Sequence, residues 1–191
     1  MKKNLVCVAA LLALAGGASA QGITVHPLLG GGLTFGGDNL ATVEYTNGNS
    51  ETLHAGGLVH LYGGVEVRFT PMVSAQVNVG YHVDNTTGSN GSLKFDRTPV
   101  ELLGHFNIND QFRIGGGARF VSGAKLKGSG VLNGEVVHFQ STTGAVVEAE
   151  YFFVRSASVK GRYVSEKYKI DGFSGEVNGS HGGIYLTYYF F

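Results

Sequence analysis

Alternation of apolar and polar residues constrains this chain more than any other feature, because a side-chain period of two belongs to strands. From Leu53 to Phe69 the odd positions are Leu53, Ala55, Gly57, Val59, Leu61, Gly63, Val65, Val67 and Phe69, all apolar or small. His54, His60, Tyr62, Glu66 and Arg68 lie on the other face. After Thr70-Pro71-Met72 the pattern resumes, with Val73, Ala75, Val77, Val79, Tyr81 and Val83 on one face and Ser74, Gln76, Asn78, Gly80, His82 and Asp84 on the other. So short a turn makes the two runs a hairpin. The pattern returns in 100–106 and 112–120 around the turn 107–111, and in 145–153 and 157–163 around the turn 154–156. A first strand near Pro27 to Phe35 and a last one ending at Phe191 bring the count to eight. An even count lets the first and last strands meet, which closes an all-β, antiparallel up-and-down transmembrane barrel.

Hydropathy agrees with a barrel. Past the N-terminal segment no apolar run reaches 18 residues, so nothing later can be a transmembrane helix. A chain that spans a membrane without helices must do so as a closed sheet, where every backbone group finds a partner. The turns at 70–72, 107–111 and 154–156 are short, whereas 36–52, 84–94, 122–140 and 167–180 read as long loops rich in Gly, Asn, Ser and Thr. Short periplasmic turns and long outer loops are the asymmetry of outer-membrane barrels. Phe69, Phe106, Phe112, Phe153 and Phe191 fall at the short-turn ends, where they form a periplasmic aromatic girdle on the apolar face.

The N-terminus carries Met1-Lys2-Lys3-Asn4, an apolar run from Leu5 to Ala15, and Gly16-Gly17-Ala18-Ser19-Ala20. That is the charged region, apolar core and A-x-A site of a secretory signal peptide, with an apolar run too short to span a bilayer. Residues 1–20 are expected to be cleaved, leaving 21–191 as one barrel domain. The only cysteine, Cys7, leaves with the signal, so disulfides, thiolate metal sites and cysteine nucleophiles are excluded from the exported chain. Loss of Lys2 and Lys3 leaves 12 basic against 14 acidic residues, a formal charge of −2. No nucleic-acid footprint exists in such a balance. The 31 glycines are scattered, which excludes collagen-like and solenoid folds.

The chain ends on Gly182-Gly183-Ile184-Tyr185-Leu186-Thr187-Tyr188-Tyr189-Phe190-Phe191, with Tyr185, Tyr189 and Phe191 on one face and Ile184, Leu186, Tyr188 and Phe190 on the other. A terminal Phe with aromatics at alternate preceding positions resembles the last strand of bacterial outer-membrane barrels. Across the exported sequence the chain resembles the eight-stranded family typified by the transmembrane domain of OmpA, by OmpX and by OmpW. The likeness is one of architecture and terminal motif. It implies residence in the outer membrane of a Gram-negative bacterium, contact with outer-membrane lipid, and delivery by periplasmic chaperones. It also implies that Tyr185, Tyr189 and Phe191 form an assembly signal read by the barrel-assembly machinery. No peptidoglycan-binding domain follows Phe191, unlike full-length OmpA, so no cell-wall tether is implied.

A soluble calyx of the lipocalin kind also alternates, but turns its apolar face inward. The signal segment, Phe191 and the turn-end phenylalanines favour lipid outside. The lumen then receives Glu66, Glu101, Glu148, Glu150 and Glu166 against Arg68, Arg113, Arg119, Lys160 and Arg162. A symmetric turn at 154–156 sets Glu150 across from Lys160 and Glu148 across from Arg162. One around 107–111 sets Glu101 opposite Gly117 and diagonal to Arg119. An eight-stranded barrel is only just wide enough for its side chains, and buried charges there must pair. The expected function is therefore structural, a plugged barrel for envelope integrity whose surface loops are free for adhesion contacts. The alternative is a small channel or solute conduit. Gly30, Gly32, Gly80, Gly115 and Gly117 on the lumen side either make room for long Arg and Glu side chains or leave a water path.

Residues capable of chemistry are present, but not in catalytic arrangements. His60 and His82 become cross-strand neighbours, yet two imidazoles without a third ligand do not make a metal site. Glu148 and Glu150 share a face but meet Lys160 and Arg162, which leaves neither as a general acid. His138 and Ser141 lack the His-x-Ser spacing of outer-membrane deacylases, and Ser180-His181 supplies no orienting acid. The triplets Gly30–Gly32 and Gly115–Gly117 have no Walker lysine and no following helix. No catalysis, cofactor or metal is expected. Lys125 and Lys127 in the third long connection, and Lys167, Lys169, Asp171 and Glu176 in the fourth, accumulate neither sign.

Overall fold

The computed structural model describes residues 22–44, 50–88, 91–129, 136–172 and 174–191. The expected signal segment, with Cys7, and Gln21 lie outside the described residues. The strands are β1 (Thr24–Gly36), β2 (Asn39–Glu44), β3 (Ser50–His54), β4 (Leu58–Arg68), β5 (Val73–Gly88), β6 (Gly91–Asn107) and β7 (Phe112–Gly128). They continue as β8 (Val136–His138), β9 (Thr142–Val154), β10 (Ala157–Ser165), β11 (Lys167–Lys169), β12 (Glu176–Asn178) and β13 (His181–Tyr189). Eight of them close an antiparallel barrel in the order β1-β4-β5-β6-β7-β9-β10-β13, with β13 returning to β1 through Leu28↔Tyr189 to Gly36↔His181. No helix among the described residues is long and apolar enough to cross a membrane.

Burial is inverted relative to a soluble protein. Leu29, Leu61, Leu102, Ile114, Val147, Ile184 and Leu186 stand on the outer wall, while Glu66, Gln76, Glu101, Arg113, Glu148 and Lys160 are buried inside. The soluble calyx is thereby excluded. Phe69, Phe106, Phe112 and Phe153 lie outward near the short turns. Phe191 differs: β13 ends at Tyr189, and the Phe191 ring turns to the rim, 4.4 Å from the His26 ring and under the Arg155 guanidinium. The outward aromatics of that strand are Tyr188 and Phe190. A second set, Phe35, Tyr81, Phe120 and Tyr163, faces outward toward the other end of the barrel.

Two expectations about the strands need correction. The run 53–69 is not one strand: β3 ends at His54 and β4 starts at Leu58, and Leu53 and Ala55 are fully buried rather than on the outer wall with Val59. The turn between them resets the alternation. The stretches read as loops are also largely paired. β5 and β6 stay in register out to Gly88↔Gly91, β7 runs to Gly128 and pairs with β8, and β2–β3 and β11–β12 form two small ladders. Glycine and asparagine masked the alternation there, because neither announces a face.

The lumen-side glycines accommodate rings rather than Arg or Glu chains. A Cβ at Gly30 would strike the Tyr62 ring, one at Gly32 the Tyr185 ring, one at Gly80 the His60 ring and one at Gly115 the His105 ring. At Gly117 the obstacle is the Leu102 backbone carbonyl, which cannot move without breaking the β6–β7 ladder. Gly161, on β10, has nothing within 4 Å. Gly117→Ala is therefore expected to lower refolding yield into detergent sharply, while Gly161→Ala leaves it unchanged. Gel mobility of unheated against heated samples reads the folded fraction, and equal yields would show that the close approach at Gly117 does not limit folding.

The charged lumen as candidate functional site

Each lumen residue is placed by strand parity, and cross-strand register decides which charges meet. On β9–β10 the register sets Lys160 opposite Glu150 and Arg162 opposite Glu148, with an irregularity between Ala157 and Ser158 that takes up the turn. On β6–β7 the pairs are Phe106↔Ile114 and Glu101↔Arg119, so Glu101 meets Arg119 directly rather than diagonally. The turn is not symmetric about 107–111. Ile108 and Asn109 both donate to the Phe112 carbonyl, and Asn109 Oδ1 accepts from the backbone N–H of Gln111 and Phe112, which shifts the pairing by two residues.

The ten charged residues singled out from the sequence form one unbranched series of alternating sign. Starting at the short-turn mouth, Arg68 Nε donates to Glu66 at 2.8 Å, and Arg113 bridges Glu66 at 2.5 Å and Glu150 at 2.6 Å. Lys160 Nζ then lies 3.4 Å from Glu150 and 3.1 Å from Glu148. Arg162 contacts Glu148 at 2.9 Å, with its Nε–H turned off the oxygen, and Glu101 at 2.7 Å. Arg119 ends the series between Glu101 at 2.8 Å and Glu166 at 3.0 Å. Arg68 alone among the ten is appreciably exposed, its side chain 31% accessible.

Neutral groups add further hydrogen bonds to the series. Tyr189 donates to Glu150 at 2.8 Å and accepts from Arg113, and Ser158 donates to Glu150. Gln76 Nε2 donates to Glu66 at 2.8 Å. His105 Nε2 lies 2.8 Å from Glu148 Oε1. His105, Glu148 and Glu150 bring ligand-type atoms within 4.8 Å of one another, but Lys160 extends its ammonium between the two carboxylates, where a metal ion would otherwise sit. His60 and His82 are paired across β4–β5 with rings 5.0 Å apart, and His82 is held by Thr34, Arg97 and Arg119.

Arg97 and Asp84 are buried lumen charges absent from the sequence-based set. Arg97 Nη2 lies 3.1 Å from His82 Nε2, and the guanidinium stacks 4.8 Å from the centre of the Phe95 ring; Asp84 accepts the His54 backbone N–H at 2.9 Å. The parity of Glu101, Leu103 and His105, carried back to position 97, is the signal that places Arg97 inward. Above it the lumen changes character. Leu53, Phe95, Val121, Ala124, Phe139 and Tyr168 form an apolar cluster over the barrel mouth, against which Leu40, Leu93, Leu126, Val137, Ile170 and Val177 pack. Tyr168 joins the two regions, its ring in the cluster and its hydroxyl donating to Glu166 at 2.6 Å.

An apolar wall around a sealed sheet with a polar interior defines a transmembrane β-barrel. The outer membrane protein beta-barrel domain model matches residues 6–190, and the chain belongs to that family, in the bacterial outer membrane. No curated protein sequence matches it. Among solved structures, Ail of Yersinia pestis, the attachment invasion locus protein, superposes with a TM-score of 0.54 at 14% identity, over 89% of this chain and 99% of that one. Ail in complex with the heparin analogue sucrose octasulfate gives 0.52 at 15% identity, over 87% and 97%. Neisserial surface protein A gives 0.50 at 12% identity, over 89% and 100%. At these identities the likeness is one of fold.

Arg113 touches two buried carboxylates and Tyr189 at once. Arg113→Met keeps much of its volume but leaves Glu66 and Glu150 short of a cation. Removal of one partner from a buried pair costs about 3–5 kcal/mol, and that loss is expected in urea unfolding of the protein in lipid vesicles. A loss below about 1 kcal/mol would mean that water solvates the network as it does a surface pair.

Proposed function

We propose that this protein is a plugged structural barrel that stiffens the outer membrane and presents a rigid extracellular β-structure for surface contacts. The single observation that carries this reading is the alternating ion-pair series through the lumen. Every carboxylate in it except the terminal Glu166 is shared between two cations, so the charges of the series neutralise one another rather than line a path for a permeant ion. The apolar cluster over the mouth supports the same reading, because it covers the series with groups that exclude water. The extensions of β5, β6 and β7 and the β2–β3 and β11–β12 ladders supply surface structure of the kind that adhesion would use. Ail, similar in fold, is named for attachment. The reading assigns no catalytic step, no cofactor and no metal. It keeps Phe69, Phe106, Phe112 and Phe153 as the periplasmic girdle, with Phe191 at the rim beside them, and the assembly signal of Tyr185, Tyr189 and Phe191, as parts of insertion.

A narrow water path is the second reading. Ser74 Oγ and His105 Nδ1, near Gly115, and both amide atoms of Asn78, against Gly64, lie buried without hydrogen-bond partners. Waters along that side would satisfy them. Planar-bilayer conductance separates the two readings. Wild type is expected to be silent, with openings appearing in Glu148→Gln/Glu150→Gln, which removes the anions that hold Lys160 and Arg162 in place. Steady ion-selective openings of the wild type would overturn the plug and establish the channel.

A further inference from the structure

β6 and β7 pair as Thr98↔Ser122 and then as Asp96↔Lys125, so Gly123 and Ala124 together face the single residue Arg97. This is a bulge of the glycine type, with Gly123 at φ +67° and no neighbour within 4 Å of a Cβ built there. Backbone conformation, not space, calls for glycine. The extra residue reverses the parity of β7 beyond it. Ala124 and Leu126 turn into the apolar cluster, while Lys125 and Lys127 turn to the outer wall.

The outer-wall position next to Lys127 is already occupied by Lys94, its register partner on β6. Lys94 and Lys127 approach one carboxylate, Asp96, at 3.7 and 3.3 Å, and Lys94 also lies 5.4 Å from the centre of the Tyr81 ring. Tyr81 belongs to the second outward aromatic set, and Val79 and Val100 continue the wall below it. Among the described residues, three lysines against one aspartate leave a net positive patch on the barrel wall directly above its lipid-facing surface. With the short turns periplasmic, that level is the headgroup layer of the outer leaflet.

We propose that Lys94, Lys125 and Lys127 bind the phosphorylated headgroup of an outer-leaflet glycolipid, with Asp96 bridging Lys94 and Lys127 and Tyr81 at the interface. Charge complementarity and depth together select this occupant. A soluble anion would meet the patch only from its upper side, whereas a lipid phosphate is delivered along the wall. The inference depends on the outer-membrane location and is independent of whether the lumen conducts.

The test uses protein extracted in neutral detergent and titrated with bisphosphorylated lipid A, with bound lipid counted by native mass spectrometry. Lys94→Gln/Lys127→Gln is expected to weaken binding on the order of tenfold or more. Lys167→Gln/Lys169→Gln, on the β11 segment whose Tyr168 packs in the apolar cluster over the barrel mouth rather than on the lipid-facing wall, should leave it unchanged. Asp96→Asn, which frees both lysines, should strengthen it. Dephosphorylated lipid A should bind as poorly to wild type as the phosphorylated form does to the double variant. Equal binding by wild type and the double variant, or equal binding of the two lipids, would overturn the proposal. Displacement by millimolar inorganic phosphate would also overturn it, by making the patch a free-anion site.

Discussion

A charge inside a closed eight-stranded sheet has nowhere to go but to another charge. The interior is about as wide as its side chains, water is scarce, and the wall is a sheet whose backbone groups already bond one another. The structure depends on meeting this condition for the whole set at once. Its solution is a series in which each inner member lies between two residues of opposite sign, from Arg68 to Glu166. Deleting one inner member therefore strands two others, which makes the lumen a cooperative unit rather than a collection of pairs.

That series also constrains the strands. Hydropathy determines which face of a strand is in, but it is indifferent to a slip of two residues, because the period is two. Charge is not indifferent. The observed registers set Glu150 against Lys160, Glu148 against Arg162 and Glu101 against Arg119, and a two-residue slip of β9–β10 or of β6–β7 would move these charges off their opposed partners. The rings of Tyr62, Tyr185, His60 and His105 add a steric condition, since each fills the space over a particular glycine.

The barrel is not one environment. Below Arg97 the interior carries the ion pairs, interleaved with the rings of Tyr62, Tyr185 and Tyr189, and above it the interior is aliphatic and aromatic, with Tyr168 contributing to both. The glycine bulge at Gly123 lies at this change of character. By adding one residue to β7 it moves Ala124 and Leu126 in and Lys125 and Lys127 out, so one backbone feature serves the apolar cap and the outer lysine patch together.

The alternation of the sequence by itself determined the fold class, the inward face of most strands, the short-turn end and the ten residues of the ionic series, because each of these follows from parity. Register on β9–β10 was legible too, since the short turn at 154–156 left little freedom. What only the tertiary structure decided lies where parity is reset or silent. The break between His54 and Leu58 returned Leu53 to the interior, the Asn109 turn moved Glu101 onto Arg119, and the Gly123 bulge gathered lysines that the sequence had placed in a loop. Each is a local backbone event of one to three residues. Such events carry little hydropathic signal, yet they shift every side chain that follows, and for that reason the partner of Glu101, unlike those of Glu148 and Glu150, had to await the closed sheet.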